Sequence, residues 1–357
     1  MKKALFLLFL SFSTLAVPAQ EKPLTQAEYV KMLYAVQKAP AIKADIIDAL
    51  RRRGIDFQIT EGIRGLTRSK TANDEEIKRA LEEAGRRKAD PQAARLPSAE
   101  EASELLEKTR AKTLEAVGEM PDFVVKQAIQ RSAAYAGTGT FRNLDSLIVA
   151  VSYKSTGQED YKLLSLNGAI ENNPQSKSSY EEVGGTSSTG EFVTVLATIF
   201  KPESLTRFEP VETDLIRGRK ALVYEFWTDR DRARQQIVCQ NILSASAVTG
   251  IHGRVWIDRA DQRVLRVESE ATDIPENFPC TAARRNIDYD WTTIADEKYL
   301  LPLVSDVRVT VRDKARLFET RNLIRFKNYQ KYGTEVKIVE ADSEPEPEEK
   351  KPEVKKP

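Results

Sequence analysis

The chain contains 357 residues but a single histidine, His252, so its options for catalysis are narrow. A serine or cysteine nucleophile needs a base that a third group orients, and no residue near Gly250 or Gly253 indicates such a group. We therefore expect His252 to be a turn or surface residue. A metal site made of several histidines is excluded by the composition.

Asp288 and Asp290 form the second candidate site, because they project from the same side of a predicted strand. Paired carboxylates can perform acid–base catalysis or bind Ca²⁺. On a half-exposed strand they are more simply the solvated side, with Ile287, Tyr289 and Trp291 directed towards the core. We predict that the protein is not an enzyme and carries no cofactor.

The two cysteines, Cys239 and Cys280, are far apart in the sequence. In an exported protein an even pair of cysteines suggests a disulfide. The alternative is two separate thiols, with Cys239 buried in a strand. A zinc site is not supported, since the chain offers only one distant histidine as a further ligand.

Export is predicted from the N-terminus. Lys2 and Lys3 precede the apolar run Ala4–Leu10, and small residues end at Ala19, which is typical of a signal peptide over residues 1–19. An uncleaved anchor is the alternative. No second segment is apolar enough to span a membrane, so we expect an exported, periplasmic protein that does not span the membrane after cleavage. Its 55 basic and 54 acidic residues are interspersed, which argues against nucleic-acid binding.

The clearest structural pattern is a two-faced hairpin formed by residues 253–258 and 264–268. Apolar residues alternate with polar ones, so Val255, Ile257, Leu265 and Val267 are predicted to share one face. Trp256 falls on the other face with Arg254, Arg266 and Glu268. Both faces match only if Trp256 lies opposite or near Arg266, because a slip of one residue would mix them.

Similar strands follow one another from about residue 123 to residue 329, without intervening βαβ units. This order predicts an antiparallel meander, and the fold class is α+β: a bent antiparallel half-barrel over residues 121–335, covered by short helices. The predicted strands beside the hairpin are Phe123–Ser132, Leu144–Lys154, Asp160–Asn167, Lys220–Thr228, Ala233–Cys239, Ala283–Thr292, Val304–Arg312 and Phe318–Asn328.

A small helical module of three helices is predicted over residues 24–85. Thr25 with Glu28 forms a capping box at the first helix, and the third helix is expected to begin at Asn73 and end at Gly85. Residues 86–120 are predicted to be a linker and a connecting helix that begins at Ser98. The charged tail 340–357 has almost no apolar residue, so we expect it to be disordered.

A helix over residues 192–200, capped by Ser188 with Glu191, is predicted to lie on the sheet. If the sheet is curved, this helix could form the lid of an apolar cavity for a lipid or acyl chain. The alternative is that the helix fills the concave face and leaves no cavity. The candidate ligand contacts are the lid residues Phe192, Leu196 and Phe200 and the sheet residues Tyr224, Phe226, Trp227, Trp256, Tyr289 and Trp291.

The sheet portion resembles the half-barrel of periplasmic lipoprotein-sorting carriers, which are related to a lipoprotein chaperone, an outer-membrane lipoprotein receptor and a sigma-factor regulatory sensor. The residues that carry the likeness are 253–258 with 264–267, the strand at 224–226, and 287–290 leading to 298–302. The resemblance implies a bent antiparallel sheet whose concave face, covered by helices, accepts acyl chains. The helical module before the sheet and the charged tail after it depart from this family.

Two functions are therefore predicted as alternatives. In the first, an exported, non-enzymatic protein binds a hydrophobic ligand, such as a lipid or a lipoprotein acyl chain, in its half-barrel. In the second, the sheet is solid, and the helical module or the tail docks an envelope protein, so that the chain is an interaction or scaffold protein.

Overall fold

A computed structural model describes residues 22–36, 39, 42–92, 95–170, 186, 189–240, 244–314 and 316–332. Two compact units divide the chain, Met1–Ala93 and Ala94–Pro357. The described residues form seven α-helices and twelve β-strands, which confirms the α+β class. The predicted signal peptide and the predicted disordered tail lie outside the described residues.

Four helices form the first unit: α1 (Gln26–Val36), α2 (Ile42–Arg53), α3 (Glu61–Lys70) and α4 (Glu75–Ala89). The predicted capping contacts at α1 are present, because the Thr25 N–H donates to Glu28 over 2.8 Å and the Glu28 N–H donates to Thr25 over 3.2 Å. The sequence pattern misses α3. Only Ile63 and Thr67 are buried in this helix, so its apolar period is weak.

α4 differs from the prediction at both ends. Its N-cap is Asp74 and not Asn73: the Asp74 carboxylate accepts two N–H groups of the first turn, each over 3.0 Å. Gly85 does not end the helix, which continues to Ala89. A Cβ at this position would lie 2.5 Å from the Cδ1 atom of Ile59, so glycine lets the end of that side chain pack closely against the helix.

The second unit is built on one open antiparallel sheet. Its strands are β1 (Phe123–Tyr135), β2 (Arg142–Tyr153), β3 (Glu159–Leu166), β4 (Ala169–Ile170), β5 (Arg207–Ile216), β6 (Arg219–Thr228), β7 (Gln235–Gln240), β8 (Ser244–Asp258), β9 (Val264–Thr272), β10 (Cys280–Ile294), β11 (Glu297–Asp313) and β12 (Arg316–Lys331). The spatial order is β4-β3-β2-β1-β12-β11-β10-β9-β8-β6-β5, and among the described strands β7 pairs with β8 alone. The sheet does not close on itself. This open arrangement is what the half-barrel prediction requires.

The hairpin of β8 and β9 has the predicted register, since Trp256 pairs with Arg266. The predicted face of Leu265 is wrong. A bulge next to Trp256 makes Ile257 pair with Val264, and Leu265 therefore packs on the side of Trp256. The sequence pattern also misses β5, an edge strand whose period is broken by Pro210 at a second bulge.

Two helices of this unit cover the sheet, α5 (Ala99–Gly118) and α6 (Thr194–Phe200), and a short α7 (Arg230–Ala233) follows β6. Ser98 and Glu101 form a complete capping box at α5. α6 begins later than predicted, after a turn that contains Phe192, and no side chain caps it. The proposed cap Ser188 lies outside the described residues. None of the described helices combines the length and the apolar character needed to cross a bilayer.

Candidate functional site

α5 and α6 pack onto the sheet at β6, β8, β9 and β10. One buried cluster joins Leu196 and Phe200 of α6 to Tyr224, Phe226 and Tyr289 of the sheet. The Tyr224 hydroxyl also donates to the Ala102 carbonyl of α5 over 2.6 Å. Five of the predicted ligand contacts are therefore brought together, in a packed core.

Phe192 lies in a neighbouring cluster under β1, β2 and β12. Its ring centroid lies 5.2 Å from that of Phe123, 5.9 Å from that of Tyr153 and 5.6 Å from that of Phe326. Only 1% of Phe192 is exposed. This side chain, predicted as part of a lid, is a core residue that holds the turn before α6 against the sheet.

The three tryptophans do not join these clusters. Trp256 is fully buried with Leu265, and its indole N–H donates to Asp214 over 2.9 Å. Trp227 stacks on His252 with ring centroids 5.3 Å apart. Trp291 is 41% exposed, so the prediction that it faces the core is wrong. Strand alternation separates Trp227 and Trp256 from the neighbouring core rings, because successive side chains point to opposite faces.

A groove remains between β7 and the strands β10, β11 and β12. It encloses about 360 Å³. One wall carries Val307, Val309 and Val311 of β11, and the β7 side carries Ile237 and Val238. This volume lies within the range typical of small-ligand pockets, which is about 300–1,000 Å³.

Arg285 lines this groove and is half-buried. Register places it beside Ser269 of β9 and Val307 of β11. Its charge acts on Glu159 through space, but no described carboxylate forms an ion pair with it. Arg285 is not among the candidates predicted from the sequence, although the pattern Ala283-x-Arg285-x-Ile287 places an arginine among the inward positions of β10.

The turn that carries Phe192 is held by an acidic group. Glu159 of β3 accepts hydrogen bonds from the Tyr161 hydroxyl and, over 3.0 Å, from the Gly190 N–H. Burial raises the pKa of Glu159, although both hydrogen bonds act in the opposite direction. The carboxylate therefore fixes the start of the turn.

The cysteines form a disulfide, which excludes the alternative of two free thiols. Cys239 and Cys280 join β7 to the start of β10 with a Cα–Cα distance of 6.0 Å, and both line the groove. β7 forms its strand pairing with β8, so the disulfide attaches this hairpin to the groove wall.

Asp288 and Asp290 are ion-pair partners and not a free acidic pair. Arg266 donates to both carboxylate oxygens of Asp288 over 2.6 and 2.9 Å, and Arg217 lies 3.5 Å from Asp290. Within the described ranges, no group of three acidic, histidine or cysteine side chains could hold a metal ion.

His252 lies between two glutamates on β6 and β9. Its ring nitrogens are 3.1 Å from Glu225 and 3.3 Å from Glu270. Hydrogen bonds to these carboxylates raise the pKa of His252 to about 9. The imidazolium therefore joins two strands electrostatically, and the ring stacks on Trp227.

We expect this histidine to make stability depend on pH. Because its pKa is higher in the folded state, its contribution is complete below about pH 6.5 and is lost as the pH rises through about 9. Between pH 6.5 and pH 9.5 the wild type should lose about 1 kcal/mol more unfolding free energy than His252→Gln, since partial exposure weakens the pairs. Urea unfolding at both pH values measures this difference. Equal losses in the two proteins would contradict the assignment.

A second cavity of about 610 Å³ lies near the β2–β3 turn, α6 and α7. Its lining includes Lys201, Glu203, Asp231 and Arg232, so both signs of charge are present. It offers no row of apolar side chains comparable to the valines of the groove, which is why the groove is the stronger candidate.

No protein-family model and no curated protein sequence matches the chain. Among solved structures, a DUF1329 family protein from Desulfovibrio piger shows 9% identity over 65% of this chain and 94% of that chain, with a TM-score of 0.28. The MucA/MucB complex of Pseudomonas aeruginosa shows 12% identity over 63% and 94%, with a TM-score of 0.17. MucB in complex with MucA(peri) shows 11% identity over 61% and 93%, also with a TM-score of 0.17.

These TM-scores are too low to support an argument about fold or function. The fold assignment rests on the strand pairing described above, and the resemblance to lipoprotein-sorting carriers stays a prediction.

Proposed function

We propose that this is an exported, non-enzymatic binding protein whose ligand has an apolar body and an anionic end. The observation that carries the proposal is Arg285, half-buried in the groove beside a row of three valines and without an ion pair among the described residues. Such a ligand would lie with its apolar body along β11 and its anionic end at Arg285. The disulfide supports export, because disulfides persist in oxidising compartments.

The energetics favour an amphipathic ligand over a purely polar or purely apolar one. Apolar contact with the valines contributes roughly 25 cal/mol per Å² of buried surface, before the costs of association. A hydrogen bond to a charged group contributes about 1.5–3 kcal/mol.

Dodecanoate and dodecanol separate these contributions, because they share a chain and differ in charge. We expect Arg285→Gln to weaken dodecanoate binding about tenfold and to leave dodecanol binding unchanged. Val309→Asp should weaken both ligands, since it places a carboxylate on the apolar wall. Isothermal titration calorimetry on the full chain measures all six affinities, those of the wild type and of the two variants for both ligands.

Arg259→Gln is the matched control, because Arg259 is an exposed arginine that does not line the groove. It should bind dodecanoate like the wild type. The proposal fails if the wild type binds neither probe, or if Arg285→Gln and Arg259→Gln have the same affinity for dodecanoate.

An interaction or scaffold function is the second candidate, and one observation favours it. α5 and α6 cover the face of the sheet on which the lid was predicted, as a solid sheet core requires. If this function is correct, deletion of residues 24–85 should abolish capture of an envelope partner while the sheet unit stays folded, as judged by circular dichroism. Capture that persists unchanged would exclude the helical module as the docking element.

A further inference from the structure

Large apolar side chains are exposed at one end of the sheet, and we call this set the rim. Its members are the following residues, with their exposed fractions: Tyr135 (54%), Leu144 (62%) and Leu317 (43%). Isolated apolar residues on a surface need no explanation, whereas a set gathered in one place indicates a contact surface.

Strand register shows that the rim is gathered in one place. Tyr135 ends β1 and pairs with Phe318 at the start of β12, with ring centroids 5.0 Å apart. The Ala136 N–H donates to the Leu317 carbonyl over 3.0 Å. On the other side of β1, Ala133 pairs with Arg142 at the start of β2, two residues before Leu144. The rim therefore extends across three neighbouring strands, β2, β1 and β12.

Basic residues flank the rim. Arg142, Lys314 and Arg316 are exposed, and none of them forms an ion pair with a described residue. Arg316 donates instead to the Tyr135 hydroxyl over 3.5 Å. Asp313 is an exposed acid in the same turn, so the balance of these four charges is positive.

The opposite end of the sheet provides a comparison. Leu215 and Leu303 are exposed there to 50% and 40%. Exposed leucines are therefore present at this end too, and they provide matched positions for a control.

We propose that the rim docks on an anionic membrane surface. Apolar side chains on turns and strand ends can enter the headgroup region, while arginine and lysine beside them attract anionic lipids. Tyrosine suits this interface because its ring is apolar and its hydroxyl is polar. The groove wall ends at the same place, since Val311 pairs with Phe318. Docking stands independently of the ligand proposed above.

Vesicle flotation tests the proposal on the full chain. Wild-type protein should float with vesicles of phosphatidylglycerol and phosphatidylcholine and bind much less to phosphatidylcholine alone. We expect the double variant Leu144→Ser, Leu317→Ser to bind at least tenfold more weakly, because two apolar anchors are lost. Arg142→Gln with Arg316→Gln should also bind roughly tenfold more weakly, since each cation near an anionic surface contributes several-fold.

The matched control is Leu215→Ser with Leu303→Ser, which changes the same residue type at similar exposure on the opposite end. It should float like the wild type. Every variant retains the full chain, so any contribution of the N-terminal segment is common to all. Circular dichroism verifies folding, which exposed substitutions should not disturb. The proposal is overturned if wild-type protein does not bind anionic vesicles, or if the rim and control variants bind equally.

Discussion

Replacing Cys239 and Cys280 together by serine is expected to lower the free energy of unfolding by about 4 kcal/mol. The bond closes a loop with a sequence separation of 41 residues. In the unfolded chain this closure removes conformations, and the entropy lost grows slowly with loop length. Serine is nearly isosteric, so the variant chiefly removes the covalent bond.

The location of the disulfide strengthens this expectation. Both cysteines are buried, with 3% and 1% exposure, and β7 has β8 as its sole strand partner among the described strands. Without the bond, only side-chain packing holds the β7 hairpin against β10, so local opening at the groove should become easier.

Urea unfolding of the oxidised wild type, the reduced wild type and the double serine variant measures the effect. Reduced wild type and variant should agree within about 1 kcal/mol, because both lack the bond. A loss below about 1 kcal/mol in the variant would show that the unfolded chain is already restricted without the bond.

Much of the fold could be predicted because the deciding interactions are local. The alternation around Trp256 fixes its pairing with Arg266, since any other register mixes polar and apolar faces. The capping boxes at Thr25 and Ser98 involve residues three positions apart. Such contacts are determined by short segments and do not require knowledge of the tertiary structure.

The candidate site was harder to predict because it depends on contacts between distant segments. Alternation shows that Tyr224 and Phe226 share a face, but not whether α5 and α6 fill that face or leave a cavity. The bulge at Trp256 cannot be recognised from the alternation alone, and it moves Leu265 to the other side. Arg285 becomes a candidate only when β7, fixed by the disulfide, forms the second side of the groove.

Phe192 distinguishes a filled core from a ligand lid. Phe192→Ala is expected to lower the free energy of unfolding by about 4 kcal/mol, because a fully buried aromatic ring is lost and its neighbours collapse only partly. Three rings surround it within 6 Å, those of Phe123, Tyr153 and Phe326. A lid residue would instead be partly exposed without ligand, and its truncation would affect binding more than stability.

Trp291→Ala is the matched control, because both aromatics were predicted as ligand contacts and they differ in burial. With 41% of its surface exposed, Trp291 should contribute less than about 1 kcal/mol. Urea unfolding of the two variants beside wild type measures both values. If both variants lose less than about 1 kcal/mol, the turn before α6 can leave the sheet at little cost, and a ligand cavity beneath it becomes the better interpretation. A large loss for Phe192→Ala alone means that any ligand must bind outside this core, as the groove at Arg285 would allow.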